Sequence, residues 1–418
     1  MQPVNHGEGV TLEQIDKNSG RNRPAWQGQW RILSIGLALS GVILWTVSNF
    51  DWRHSALFLV GILLGLTLYV TAFGFTTGYR RAVLHRDLGA IYAQLLMLAV
   101  AMLLFAPVLA RGSLLGQGMT GAYAPVGFQV AIGAFMFGIG MQLGGGCGSG
   151  TLYGAGGGST RTLVTLIAFC GGAFWASLQM NVWSQLPSMP TVVIGDRLGW
   201  PVAIALQLGI LAALALALRT WRSRLQVGTP RTLHSDPPST RVGRLTPARL
   251  LLGGGVALAI LNFATLVLAG HPWTITWGYT LWAAKLANAG GWDPSVSTFW
   301  SGGFPAAALA GPALKDVTSL MDIGILLGAM GTAAATGRFR PRLRIPARSL
   351  AGAVIGGLLL GYGSRIAFGC NIGAFFSGVA STSLHGWVWI AAAIPGTVVG
   401  VFIRPWFGLD NEPPPYLV

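Results

Sequence analysis

The sequence predicts an all-α polytopic membrane protein, an inverted repeat of two helical units that carry re-entrant, cysteine-containing segments. Three observations predict it. Of 418 residues, 52% are hydrophobic and 9% charged, against about 25% charged in soluble domains. Apolar runs near the length needed to cross a hydrocarbon core of about 30 Å as a helix recur along the chain. A glycine–cysteine pattern occurs twice. Three cysteines cannot build a disulfide framework. The 61 glycines are twice the ordinary share of roughly 7%, which suits tight helix contacts or broken helices.

Ten crossings are expected, at 32–48, 56–75, 90–110, 126–145, 162–180, 200–218, 250–270, 317–335, 349–366 and 386–403. An even number puts both termini on one side. With the N-terminus in the cytoplasm, 21 of the 27 Lys and Arg residues fall inside. Five fall outside (Arg53, Arg111, Arg197, Lys285 and Lys315), and Arg365 alone lies within a span. This is a positive-inside distribution. It accounts for the net charge of +15 without nucleic acid, and it lets the basic loops meet anionic membrane lipid. Residues 1–31 are polar, with no apolar stretch of the kind found in cleaved signal peptides. The chain thus divides into a cytoplasmic segment 1–31, a first membrane half 32–218, a Pro- and Arg-rich cytoplasmic linker 219–249, a second half 250–403 and a C-terminal tail 404–418, in which Glu412-Pro413-Pro414-Pro415 reads as a loose end. Trp26, Trp30, Trp52, Trp200 and Trp406 fall at span ends and read as interface anchors.

The repeated pattern runs Gly138-Ile-Gly140-Met-Gln-Leu-Gly-Gly-Gly146-Cys147-Gly148-Ser-Gly150 and Gly361-Tyr-Gly363-Ser-Arg365-Ile-Ala-Phe-Gly369-Cys370-Asn371-Ile-Gly373. Glycines recur in register before and after each cysteine, and again farther upstream as Gly133 and Gly356. Spans two to five form one unit and spans seven to ten the other. Equivalent spans are an odd number of crossings apart, so the units run in opposite senses, as in many secondary transporters. Each cysteine follows a span and precedes a weakly polar Gly-rich stretch, too short to cross and too apolar for a free loop. A segment dipping back toward the midplane fits, where it is buried or lines a cavity. Two of them would bring the thiols of Cys147 and Cys370 together on one axis.

A thiol is polarizable, a weak donor, and suits a soft sulfur or selenium ligand. The N-termini of broken helices add backbone N–H groups and a positive dipole end that favour an anion. Cys170, in mid-span, reads as a small hydrophobe. Arg365 is a candidate because it is ionisable and within a span; the alternative is an Arg that snorkels or neutralises a carbonyl or Asp322. Its first-half counterpart is Gln142. Asp316 and Asp322 read as interfacial. The six histidines show no metal-ligand spacing. No phosphate-cradling GxxxxGK[ST] occurs, and no cofactor is expected.

The stretches Gly363-Ser364-Arg365 with Gly369-Cys370-Asn371-Ile372-Gly373-Ala374-Phe375-Phe376-Ser377-Gly378, and Gly144-Gly145-Gly146-Cys147-Gly148-Ser149-Gly150-Thr151-Leu152, resemble the YeeE/YedE sulfur-transport family. The resemblance implies an hourglass-shaped inner-membrane transporter with helical re-entrant segments. It also implies uptake of thiosulfate relayed past thiols by S–H···S contacts, and a small TusA-like sulfur carrier as partner. Carried over, Cys147 and Cys370 are the pore thiols. Gly146, Gly148, Gly150, Gly369 and Gly373 give close backbone approach, with Arg365 and Asn371 beside them. The family's further pore cysteine has no match in Gly74-Phe75-Thr76-Thr77-Gly78-Tyr79-Arg80, where Thr76 or Thr77 is the polar candidate. Two readings compete with thiosulfate import. One is transport of a selenium compound or another sulfur oxyanion. The other is a membrane sulfurtransferase with a persulfide on Cys147 or Cys370, which needs a low-pKa thiolate near a positive charge. A purely structural protein would leave the paired motifs unexplained.

Overall fold

The computed structural model describes residues 29–225, 247–342 and 344–409. The N-terminal segment with Trp26, most of the linker and the prolines after Glu412 lie outside the described residues. Ten helical stretches among the described residues are long and apolar enough to cross a membrane, and they coincide with the ten expected runs. In chain order the helices are α1 Trp30–Ser48, α2 Trp52–Thr71, α3 Phe75–His85, α4 Gly89–Arg111, α5 Phe128–Gly144, α6 Gly148–Gly156, α7 Thr160–Leu178 and α8 Trp200–Leu225. The second half supplies α9 Pro247–Ala269, α10 Thr276–Ala289, α11 Val317–Ala335, α12 Ala347–Ile366, α13 Ser377–Ala380 and α14 Leu384–Ile403. Four two-residue strands are the only sheet among the described residues. The chain is an all-α polytopic membrane protein.

The outward faces are apolar. Trp45, Leu103, Ile167, Leu216 and Phe402 are exposed, as expected of side chains that face lipid rather than water. Lipid is as apolar as leucine, so helices in it associate through close packing of small residues. Gly138 of α5 and Gly396 of α14 illustrate this. A methyl group on either would lie 2.3 Å from the Ala393 carbonyl oxygen or 2.1 Å from that of Phe135, respectively. The packing is reciprocal between halves. Helix α2 lies on α11 and α9 on α4; α12 lies on α7 and α14 on α5; α5 and α12 pack on each other, as do α2 and α9.

Two elements were not expected. Helices α3 and α10 are short and buried at their starts, each following a break after a long helix. The apolar run of α10 is interrupted by Lys285 and Asn288, which hides it from a search for crossings. Helix α8 also continues into the segment read as linker. The beginning of the tail is packed on the helices. Arg404, read as the end of the last span, starts a 3-10 turn to Phe407 and is 5% exposed. Its guanidinium donates to the carbonyls of Gln142 and, at 2.6 Å, Leu409.

Candidate functional site

Each cysteine begins a helix after an abrupt break. Helix α5 ends at Gly144, and Gly145 takes the left-handed conformation (φ 83°) that turns the chain. The last carbonyls of α5 are capped by cations: Arg161 donates to Leu143 and, at 2.9 Å, to Gly144, while Arg404 donates to Gln142. Cations at a helix C-terminus also complement its dipole. Cys147 is then the N-cap of α6. Its sulfur accepts from the Gly150 N–H at 3.5 Å and lies 3.4 Å from the Ser149 hydroxyl. A thiol stands where serine or aspartate is usual.

In the second half α12 ends at Ile366, and the turn runs through Phe368 (φ 58°) and Gly369 (φ 146°). A side chain on Gly369 would also meet the Ala374 nitrogen at 2.8 Å, which explains the glycine. Cys370 caps a π-helical turn, Asn371–Phe376, that continues into α13. Its sulfur accepts from the Ile372 N–H at 3.4 Å. The Gly369 carbonyl takes the Trp389 indole N–H at 3.1 Å.

The two caps meet. A methyl group on Gly148 would lie 2.9 Å from the Cys370 sulfur, so the backbone after one thiol is packed against the other. The Tyr279 hydroxyl, from α10, donates to the Gly148 carbonyl at 2.8 Å. Ile275, just before α10, touches the same glycine, and Thr274 faces Gly373 at van der Waals distance. From α3, Phe75 meets Phe375 edge-on at 6.4 Å, and Tyr79 lies near Cys147 and Asn371. Four helix starts (Phe75, Gly148, Thr276 and Asn371) therefore converge on the thiols. A helix N-terminus carries a partial positive charge without a formal one, and here the Gly150 and Ile372 N–H groups donate to the two sulfurs.

The centre is sealed in this conformation. Cys147 and Cys370 are 1% and 0% exposed; Phe375, on the turn that Cys370 caps, stacks on Trp389 at 6.4 Å and meets Phe75 edge-on. Polar groups are buried around them: the Thr76 hydroxyl has no hydrogen-bond partner, and the Tyr79 hydroxyl and the Asn371 amide face each other. Unsatisfied buried groups are costly, and the Thr76 hydroxyl is one.

Of the residues singled out in the sequence, Cys147, Cys370, Gly146, Gly148, Gly150, Gly369, Asn371 and Gly373 come together here. Gly146 is confined by its own helix, where a methyl group would lie 3.0 Å from the Gly150 and Thr151 backbone. Gly373 is not sterically required. Arg365 sits elsewhere, its guanidinium over the Phe299 ring at 4.8 Å and the Trp277 ring at 6.0 Å. It does not pair with Asp322; Arg81–Asp87 is the ion pair seen among the described residues. Its counterpart Gln142 donates to the Thr76 carbonyl at 3.1 Å, so each reaches the first turn of a broken helix. Cys170 is half-buried on α7, is not one of the two caps, and lies within electrostatic reach of Tyr279 and Asp322. Tyr79 and Tyr279 were missed, although Thr77-Gly78-Tyr79 and Trp277-Gly278-Tyr279 repeat a Gly-Tyr pair.

The sequence profile for sulphur transport matches residues 70–399. The chain belongs to the sulphur transport family. Among members, it is 28% identical over 338 residues to a thiosulfate transporter TsuA of Spirochaeta thermophila, covering 79% of this chain and 92% of the relative. To the thiosulfate transporter TsuA of Escherichia coli K12 it is 24% identical over 355 residues, covering 82% and 94%. To the probable transporter YedE of Escherichia coli K12 it is 29% identical over 153 residues, spanning 37% of this chain and about a third, 35%, of that relative. These sulphur-transport relatives are named as transporters, and the sulfurtransferase reading finds no support in them. The protein is a multi-pass membrane transporter rather than an enzyme.

Proposed function

We propose that this member of the sulphur transport family imports thiosulfate across the cell inner membrane, past the thiols of Cys147 and Cys370, by transient S–H···S contacts. The observation that carries the reading is the meeting of two thiol-capped helix starts, one from each half, at the focus of four helix N-termini. Each N-capping sulfur accepts a backbone N–H through a lone pair, and the Cys147 thiol also meets the Ser149 hydroxyl, where either group can donate. A dianion gains from the N–H groups and dipoles, and its terminal sulfur matches the soft thiols. Among the described residues no cation pairs with the thiols, which keeps binding weak enough to release. The two TsuA relatives support thiosulfate as the anion.

In this reading the halves are inverted repeats in an hourglass arrangement. Equivalent packing of α2 on α11 and α9 on α4 supports it, as does the positive-inside charge pattern, which puts both termini in the cytoplasm. Gly146, Gly148, Gly150, Gly369 and Gly373 line the constriction, and Asn371 offers its amide. Arg365, among aromatic rings, meets the anion outside the constriction. A TusA-like carrier receiving the sulfur inside is a partner of this reading.

The test is growth on thiosulfate as sole sulfur source in cells lacking their own thiosulfate uptake. The wild-type gene restores growth, and Cys370→Ala, made to the same level in the membrane, does not. Normal growth of the variant rejects the thiol role. The absence of a third cysteine near Thr76 keeps a selenium compound or other sulfur oxyanion as the second reading. Competition by selenite, sulfite and sulfate against labelled thiosulfate separates the two.

A further inference from the structure

We infer that Asp322 is a proton-binding site that couples movement of the anion to a proton gradient; the inference rests on the import reading above and adds its energy source. Asp322 lies in the second turn of α11 and was read from sequence as interfacial. It is 0% exposed, and neither carboxyl oxygen has a hydrogen-bond partner. It is not a cap, because that role belongs to Asp316, which accepts from the Ser319 N–H at 2.8 Å. An unpaired carboxylate at this depth is expensive and marks function by default.

Its position joins it to the thiol centre. A methyl group on Gly278 would lie 2.5 Å from the Asp322 Oδ2, so the carboxyl is pressed against the first turn of α10. That helix begins against Gly148 and supplies Tyr279 to the Gly148 carbonyl. The ionised form gains from the helix N-terminus, and the neutral form from burial, so both states are within reach.

Among the described residues no cation pairs with it. On its own helix the nearest charged group is Asp316; α10 faces it with Tyr279, α7 with Cys170, and Cys370 is within electrostatic reach. Helix α6 carries Tyr153 as its titratable side chain. The α2 face packed on α11 here is Phe58, Gly61 and Gly65. At the ends, the His54 ring meets the Lys315 carbonyl, Arg53 meets Gln117, Lys285 donates to the carbonyls of Leu309 and Gly311, and Arg365 lies over rings.

The other half supplies a natural comparison. Gln94 holds the matching place, second turn of α4, with Nε2 3.4 Å from where a methyl group on Gly78 would lie; it too is buried and unpartnered there. A neutral amide therefore fits this niche, and only the acid can release a proton. An ionised Asp322 repels a dianion at the thiols, so the anion enters with Asp322 protonated. The carboxylate takes its proton from the outer water, and loss of that proton inside expels the anion.

The experiment uses purified full-length protein in liposomes with the membrane potential clamped at zero. Wild type is expected to accumulate labelled thiosulfate about tenfold per unit of inside-alkaline pH gradient, the ratio for one proton per anion. Asp322→Asn is expected to exchange thiosulfate at equal pH and to accumulate none. Equal gradient-driven accumulation by the variant, or wild-type exchange indifferent to the gradient, overturns the inference. Absence of exchange in wild type would refute thiosulfate as the substrate instead. In that event infrared titration decides: a protonated carboxylic acid band that Asp322→Asn lacks supports the proton site, and its absence from wild type overturns it.

Discussion

The sulfur of Cys370 lies where it would be 2.9 Å from a methyl group on Gly148, the residue that follows Cys147. Sequence-distant thiol caps are thus in contact through one bare backbone position. This packing leaves no room for a side chain at 148, whereas Gly150 faces the Cys147 sulfur at 3.6 Å, ordinary contact distance.

Gly148→Ala should therefore displace Cys370, at an overpacking cost of about 1–3 kcal/mol, and slow thiosulfate uptake sharply. Gly150→Ala should be the milder change. Initial uptake rates at matched protein amounts, with thermal unfolding in detergent, check the pair. Equal effects of the two would contradict the contact.

The same geometry suits a cross-link. A Cβ at 148 would stand 3.5 Å from the Cys370 Cβ, within the disulfide range of about 3.5–4.5 Å. In a Cys147→Ser, Cys170→Ser background, Gly148→Cys should form a disulfide with Cys370 under mild oxidation. Peptide mass spectrometry reads the bridge, and reductant should remove it.

Arg161 and Arg404 hold the carbonyl end of α5 against the break that positions Cys147. Arg161→Ala should destabilise the protein by about 1.5–3 kcal/mol for each charge-assisted bond lost, with Arg161→Lys partly restoring it. Arg404→Met should act likewise. Thermal midpoints of the purified variants measure this; unchanged midpoints would mean that water or another group caps α5.

The spans were legible because a helix must be long and apolar to cross a membrane, and that leaves its mark on any sequence. The Gly146-Cys147 and Gly369-Cys370 pattern was legible because the breaks need glycines at fixed offsets from the caps. Arg161 and Arg404 were not legible as caps. Charge counting assigns every arginine near a span end to the aqueous side, whereas these two turn inward to carbonyls. Asp322 was misread for a related reason: closeness to a span end suggests water, but α10 and the loop after it cover that end. Helix α10 escaped notice because a short broken helix buried by protein need not be apolar throughout. The Gly78-Tyr79 and Gly278-Tyr279 repeat was present to be found. Its purpose, a glycine pressed on Gln94 or Asp322 beside a tyrosine turned to the thiols, shows only in three dimensions.

Serine is a good helix N-cap, so Cys147→Ser and Cys370→Ser should preserve the two caps while removing the soft sulfur. Labelled thiosulfate flux into liposomes containing each variant is the most direct measurement of the central claim, with Cys170→Ser as the control at the thiol that caps no helix. The account predicts a fall of about tenfold or more for each cap variant, at least 1.4 kcal/mol of lost stabilisation, and near wild-type flux for Cys170→Ser. Wild-type flux through both cap variants would contradict it.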